Sequence, residues 1–411
     1  MTAERKPPKM FLLGALTIAI ASLLSIAAIE MGLHLFGSQP NEERTGEYFY
    51  NVKGTLHDFG KKSINIRLKP STISSVETPE YKVQIFTNSL GFRDYEYTQK
   101  KPNNTCRITI VGDSLTFGAG VDNDIVFAKK LERRLNAAAG TVELRIEVIN
   151  LGVGSYSAGQ NYLAAREIAL PLAPDLILLV HYPNDAMEWP YYEDDEGLPR
   201  TYVVSPDYWR KQRKGMAIPS RDKGETVQIP AWLAKLEPHF RTVSLITRFI
   251  RQKEKRRQQL GTTNYRFGDP ALDPFWPIRP LEPLEQSTAW QLHVRILAKT
   301  VEIAAAADTP LAVAFIPAAM QINGFEWDTG REVHGFHPGE VSSYDMQDKL
   351  AALLRKSGTP HIDLRPSLIR ESREDRRLYF PYDGHLSPLG HEIVAEALAP
   401  FVTSQLPRGC L

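Results

Sequence analysis

Four separated stretches of the chain carry the residue types of nucleophilic catalysis. Ser114 stands in Gly112-Asp113-Ser114-Leu115, and Gly154 and Ser155 lie in the small-residue run that follows Asn150. Asn184 stands in Tyr182-Pro183-Asn184-Asp185, and Asp383 and His385 flank Gly384 near the C-terminus. A serine hydroxyl attacks a carbonyl only if a base takes its proton, the base needs a group to orient it, and the oxyanion that develops needs fixed donors. The four stretches supply one of each: Ser114 as nucleophile, His385 as base, Asp383 as orienter, and backbone or side-chain amides as donors. Read alone, Gly-Asp-Ser is equally a strand-to-helix turn with Asp113 or Ser114 as N-cap; the distant partners give it a chemical reading.

The elements between these stretches put them on one rim. Ile108–Val111 is a β-branched run closed by Gly112, which reads as a buried parallel strand ending in a tight turn. Strands are also predicted over Leu144–Asn150, Asp175–His181, Leu311–Ile316 and His361–Leu364. Helices are predicted over Phe127–Ala138, Ser157–Ala169, Ala289–Ala307, Tyr344–Lys356 and Pro388–Gln405. Such alternation predicts an α/β fold: a three-layer α/β/α sandwich around a five-stranded parallel sheet. Open sheets of this kind hold ligands beyond the carboxyl ends of their strands, and Ser114, the Gly154/Ser155 turn, Asn184 and Asp383–His385 each follow a predicted strand.

Composition narrows the function classes. Hydrophobic residues at 43% and charged residues at 24% suit a globular protein with a full core. Lys+Arg 49 against Asp+Glu 48 leaves a net charge of +1, so no long-range field favours nucleic acid, and none is expected as a partner. There is no internal repeat and no CxxC pair, so neither a structural metal nor another cofactor is expected.

Outside the core, Phe11–Ile29 is an uncharged apolar run preceded by Arg5, Lys6 and Lys9. Its length predicts a transmembrane helix, and the charge on its short side predicts a single-pass anchor with the rest of the chain extracytoplasmic. Ser25 and Ala27 leave open a cleavage site and a secreted form. Residues 1–36 are thus read as tip and anchor, and 37–101 as a stalk and a small β element in which Tyr81–Phe86 alternates like a strand. Arg93 in that segment could bind a substrate anion or, as base rates favour, pair with Asp94 or another acid. The core is expected over 102–186 and 287–411. Residues 187–286 form a large lid-like insertion containing the acidic run Glu193–Glu196 and an amphipathic stretch, Trp232–Leu260, that ends in basic residues. A solvated loop and a plain surface face are the readings preferred there over calcium and lipid binding.

With those blocks in order, the sequence resembles the SGNH/GDSL family of esterases and acyltransferases, and the N-terminal anchor together with Asn88–Asp94 resembles its membrane-anchored bacterial members. The resemblance covers roughly 81–184 and 289–405 and implies a flavodoxin-like fold. It makes Ser114 the nucleophile and an oxyanion donor, Asn184 another donor, His385 the general base and Asp383 its orienter. It implies an ester-bearing small molecule, glycan or lipid as substrate, with an O-acyltransferase of envelope polysaccharide, or a catalytically weak carbohydrate-binding or assembly protein, as alternatives. Two departures stand out. The family's second block carries glycine where this chain has Ser155; serine can donate its N–H there if its φ is negative, and if φ must be positive Gly154 is the expected donor. Asp383 and His385 are also spaced D-x-H, where many members have D-x-x-H.

The remaining titratable residues have plainer readings. His181 and His391 are read as packing or surface residues, His334 and His337 as loop residues without a metal partner set, Asp185 as a turn cap, and Asp113 as a brace for the nucleophile turn. Of the two cysteines, Cys106 precedes the first core strand, and the last helix must return Cys410 to the same end of the sheet. The pair could form a disulfide, or Cys106 could be a buried thiol and Cys410 part of a frayed tail.

Overall fold

A computed structural model describes residues 56–59, 66–78, 80–139, 144–186, 191–193, 199–201, 275–279, 283–328 and 330–410, with single positions at 21, 25, 64, 236, 240, 242, 243 and 247. The chain divides into two units, one of 1–45 with 214–264 and one of 46–213 with 265–411. The second holds every candidate site residue. The first, which includes the apolar run 11–29, lies almost wholly outside the described residues, as do most of the 187–286 insertion and the stretch 232–260. Among the described residues no helix is long and apolar enough to cross a membrane.

Five strands form one parallel sheet: β1 (Thr105–Val111), β2 (Arg145–Asn150), β3 (Leu176–His181), β4 (Leu311–Phe315) and β5 (His361–Asp363). Their order across the sheet is β2-β1-β3-β4-β5. All six residues of β3 and all five of β4 are buried, as expected where both faces are covered. The main helices are α1 (Phe127–Ala139), α2 (Ala158–Ala164), α3 (Thr288–Ala306), α4 (Asp345–Lys356), α5 (Arg365–Glu371) and α6 (Pro388–Gln405). Helix α1 packs on α6 and α2 on α3. Right-handed crossovers put α1 on the face opposite α2 and α3, because the β1-to-β2 step runs opposite to the later ones; α6, after the last strand, joins α1 on its face.

The strand order reverses between β1 and β3, and at such a switch point the loops leaving the two strands diverge and open a crevice at their carboxyl ends. Ser114 follows one of these strands and Asn184 the other.

The expected helix over 157–169 is shorter. After α2 the chain passes into a wider π turn over Ala165–Ala169 and a 3₁₀ turn, Leu170–Leu172. Pro171, which has no N–H to donate, lies in that last turn. Ahead of the core, the strand Lys82–Phe86 pairs antiparallel with Ile73–Glu77, forming a two-stranded hairpin. Within the hairpin's connection the Thr78 hydroxyl accepts the N–H groups of Glu80 (3.2 Å) and Tyr81 (3.1 Å).

Candidate active site

The turn that carries Ser114, the candidate nucleophile, is built by close packing. A Cβ on Gly112 would lie 2.2 Å from Thr116 Oγ1, so only glycine lets β1 pass directly into the turn. Asp113 Oδ1 then accepts the Leu115 N–H (2.9 Å) and caps the one-turn helix Ser114–Phe117, and Gly118 closes it in the left-handed region at φ 85°. Burial raises the Asp113 pKa, while the Leu115 N–H and the charge of His385 pull the other way. Asp113 braces the turn, as its plain reading had it.

Arg93 departs from both of its expected roles. Its buried guanidinium donates to Phe117 O (3.0 Å), Gly118 O, Val121 O and Asn123 Oδ1 (2.9 Å), and stacks 4.7 Å from the Phe117 ring. It thus ties down the carbonyls at the end of the nucleophile turn. Burial pushes its pKa down to about 9, with the Asp122 charge opposing, so it stays protonated at neutral pH. Asp94 pairs instead with Lys129 (2.7 Å) and accepts the Asn150 N–H (2.7 Å).

Asp383 and His385 lie in a tight loop whose flanks pair as a bridge between Tyr379 and Leu386. Phe380 N–H donates to His385 O (2.8 Å) and Gly384 N–H to Phe380 O (3.0 Å). The D-x-H spacing works because Gly384 takes φ 79° and lies against the Trp327 ring, 2.6 Å from where a Cβ would be. His385 Nε2 is 2.9 Å from Ser114 Oγ, and His385 Nδ1 hydrogen-bonds Asp383 Oδ1. The Asp383 side chain is 1% exposed and that of His385 13%.

The charges of the pair oppose their burial. Burial would raise the Asp383 pKa, but the His385 charge and hydrogen bonds from His385 and the Tyr81 hydroxyl hold it below the usual carboxylate value. Burial would lower that of His385, but the Asp383 charge and hydrogen bond, with Asp113 and Glu80 adding, hold it above 6.5.

In the turn after β2 the left-handed conformation falls on Ser155 and not on Gly154. Val153 O accepts the Tyr156 N–H (3.2 Å), and the left-handed residue of this turn is Ser155, at φ 69°. Gly154 has no positive φ and open space around it, so the conformation that glycine would make easy falls on the serine. Asn184 follows β3 in the 3₁₀ turn Pro183–Ala186, where its side chain hydrogen-bonds Asp113 and its Oδ1 is buried without a partner. Asp185 caps that turn, accepting the Tyr182 N–H (2.9 Å) on one oxygen and Asn161 Nδ2 (3.1 Å) on the other.

His181 and His391 are packed, within their plain reading: His181 Nε2 lies 2.9 Å from His293 Nε2, and His391 Nδ1 accepts the Phe127 N–H (3.2 Å). His334 ends the short turn Arg331–His334 beside the Phe275 and Trp327 rings, and His337 is exposed. Among the described residues, the one group of three potential metal-binding side chains is Cys106, Asp175 and Cys410, of which the two cysteines are disulfide-bonded.

The sequence reading passed over three residues at this site. Trp327 shapes the Gly384 turn, Tyr81 donates its hydroxyl to Asp383 Oδ2, and Glu80 accepts the N–H groups of Tyr382 (2.9 Å) and Asp383 (2.8 Å). Nothing local marks them, because their partners lie as far as 303 residues away.

No family model and no curated protein matches the chain. Among solved structures it is similar to a lipase/acylhydrolase from Enterococcus faecalis, at 13% identity over 74% of this chain and 97% of that one, with a TM-score of 0.37. It is also similar to a catalytic mutant of an acetylxylan esterase from Geobacillus stearothermophilus, at 13% identity over 72% and 93%, with a TM-score of 0.36.

Proposed function

We propose that the chain is a serine ester hydrolase of the SGNH/GDSL type, and that it works through an acyl-enzyme on Ser114. The observation that carries this reading is the relay of Ser114 Oγ, His385 Nε2 at 2.9 Å, and Asp383 behind Nδ1. His385 takes the hydroxyl proton as Ser114 Oγ attacks the ester carbonyl. The oxyanion is held by the Ser114 N–H, by a backbone N–H of the Gly154–Ser155 turn and by the Asn184 amide. Collapse expels the alcohol, which receives the proton from His385, and water activated by the same imidazole releases the acid. No cofactor enters these steps.

An amide nitrogen has two N–H bonds, so Asn184 can hold Asp113 with one and the oxyanion with the other. Asn184→Ala is expected to lower kcat about 10²–10³-fold, as loss of a single oxyanion donor does; an unchanged kcat removes Asn184 from the hole. His385 must be neutral to act as base and its pKa is raised, so kcat/KM is expected to climb with pH through a midpoint above 6.5. A flat profile from pH 5 to 8 counts against His385 as the base.

We also place the substrate in the cell envelope, as an O-acyl group of a glycan or lipid, with the catalytic unit outside the cytoplasm on an anchor formed by 11–29. The apolar run with its preceding cations supports this, as does the Cys106–Cys410 bridge, since disulfides persist in oxidising compartments. The test is the full chain with short- and long-chain nitrophenyl esters, with and without oligosaccharide acceptors. Hydrolysis unaffected by acceptor fits the esterase; acyl transfer to the sugar would make the protein an acyltransferase; no turnover of any ester would overturn the reading.

A further inference from the structure

We propose that Tyr81 and Glu80, on the hairpin ahead of the core, are positioning residues for the catalytic pair. Tyr81 fixes the Asp383 carboxylate through its second oxygen, and Glu80 fixes the backbone that carries it. The proposal rests on the ester-hydrolase reading above.

An aspartate that orients a histidine has to present one oxygen to Nδ1, and its other oxygen must then be satisfied elsewhere. With the Asp383 side chain 1% exposed, water is a poor donor, and an unsatisfied charged acceptor is costly. The Tyr81 hydroxyl fills that place on Oδ2. Its ring is held by Phe380 (centroids 5.0 Å apart), in the same loop as Asp383.

Glu80 secures the other half of the arrangement. The loop's internal bonds involve Phe380, Gly384 and His385, while the N–H groups of Tyr382 and Asp383 are taken by the two oxygens of Glu80. Adjacent residues of the hairpin therefore hold the side chain and the main chain of one aspartate. Their own placement is fixed by the Thr78 hydroxyl and by the Thr78 N–H to Tyr81 O bond (2.8 Å).

The two residues act on His385 with opposite sign. The positive end of the Tyr81 hydroxyl dipole points at the Asp383 carboxylate and weakens its pull on the imidazole proton. The Glu80 carboxylate adds negative charge and strengthens that pull. The other titratable groups around the pair are Asp113 on the turn that carries Ser114, Tyr182 after β3 and His391 on α6, and neither substitution replaces any of them.

The experiment measures kcat/KM for p-nitrophenyl acetate against pH on the full chain, for wild type, Tyr81→Phe, Glu80→Gln, Asp383→Asn and the Tyr81→Phe/Asp383→Asn double variant. Tyr81→Phe retains the ring on Phe380, and melting temperatures establish that each variant is folded. Tyr81→Phe is expected to lower kcat roughly tenfold with little change in KM, and to move the acid limb to higher pH. Glu80→Gln is expected to move the same limb to lower pH. In the Asp383→Asn background Tyr81→Phe should cost almost nothing, because the charged acceptor is gone. Limbs that do not move, or an equal Tyr81→Phe loss in both backgrounds, overturn the proposal. Labelling of Ser114 by a fluorophosphonate separates the two levels: a labelled wild type with unmoved limbs overturns the positioning role alone, and an unlabelled, inactive wild type overturns the hydrolase reading with it.

Discussion

Ser114→Ala is expected to lower ester turnover by about 10⁴–10⁶-fold, and His385→Ala by a similar factor. In the proposed mechanism the nucleophile and its base act as one unit across a 2.9 Å contact, so removing either leaves no competent pair. The double variant should therefore be hardly slower than either single one. Loss of structure does not account for this expectation. The Asp113-to-Leu115 cap and the Arg93 bonds to Phe117 O and Gly118 O hold the turn without using the Ser114 hydroxyl. Initial rates with p-nitrophenyl acetate, together with a melting curve for each variant, decide the matter. Near-normal cleavage by Ser114→Ala would remove the serine from the chemistry, and losses that multiply in the double variant would separate His385 from it.

The parts of the molecule that could be read from sequence are those specified by short-range pattern. Strands of a parallel sheet are covered on both faces, so β3 and β4 stand out as apolar runs, and the helices after β1 and after Gly384 begin where their periodicity says. The three triad candidates were visible because each stands in a compact block at the end of a strand or the start of a helix. The hairpin strand Ile73–Glu77 was less visible. Its sequence, Ile-Ser-Ser-Val-Glu, has too little apolar alternation, and two of its five side chains are buried.

What local pattern could not supply was conformation and long-range partnership. Whether Gly154 or Ser155 takes the left-handed position depends on how the turn closes from Val153 to Tyr156, and the serine accepts a φ that glycine would adopt more cheaply. Arg93 pairs with carbonyls because the nucleophile turn ends in a cluster of them, an arrangement that exists only after β1 and the hairpin segment have come together. Asp94, the nearest acid in sequence, is taken by Lys129 of α1. Tyr81 and Glu80 meet Asp383 for the same reason: the fold brings the residues ahead of the core against the loop that precedes α6.

Opening the Cys106–Cys410 bridge is expected to cost stability and to leave activity intact. Cys106 lies in β1 at the end of the sheet opposite the catalytic rim, and α6 starts at that rim and returns the chain to the floor, where the two Cα atoms are 5.5 Å apart. The bridge closes a loop with a sequence separation of 304 residues, which contains nearly all of the parallel sheet and every candidate catalytic residue. In the chain-entropy account a cross-link of that span destabilises the unfolded state by about 6 kcal/mol, at the top of what such bonds contribute. Both cysteines are buried, at 1% and 5% exposure, so the bonded form also keeps the C-terminal turn Arg408–Cys410 against the sheet. Without the bond this last turn is free to fray, while the Ser114–His385 geometry at the far rim is untouched. Cys410→Ala is accordingly expected to lower the melting temperature by on the order of 10 °C with kcat/KM near wild type at 25 °C. Protein taken from its own compartment and denatured without reductant should show no free thiol and, after reduction, two. Two free thiols before reduction would show the bridge to be absent in the cell, and an unchanged melting temperature in Cys410→Ala would show that it contributes nothing to the fold.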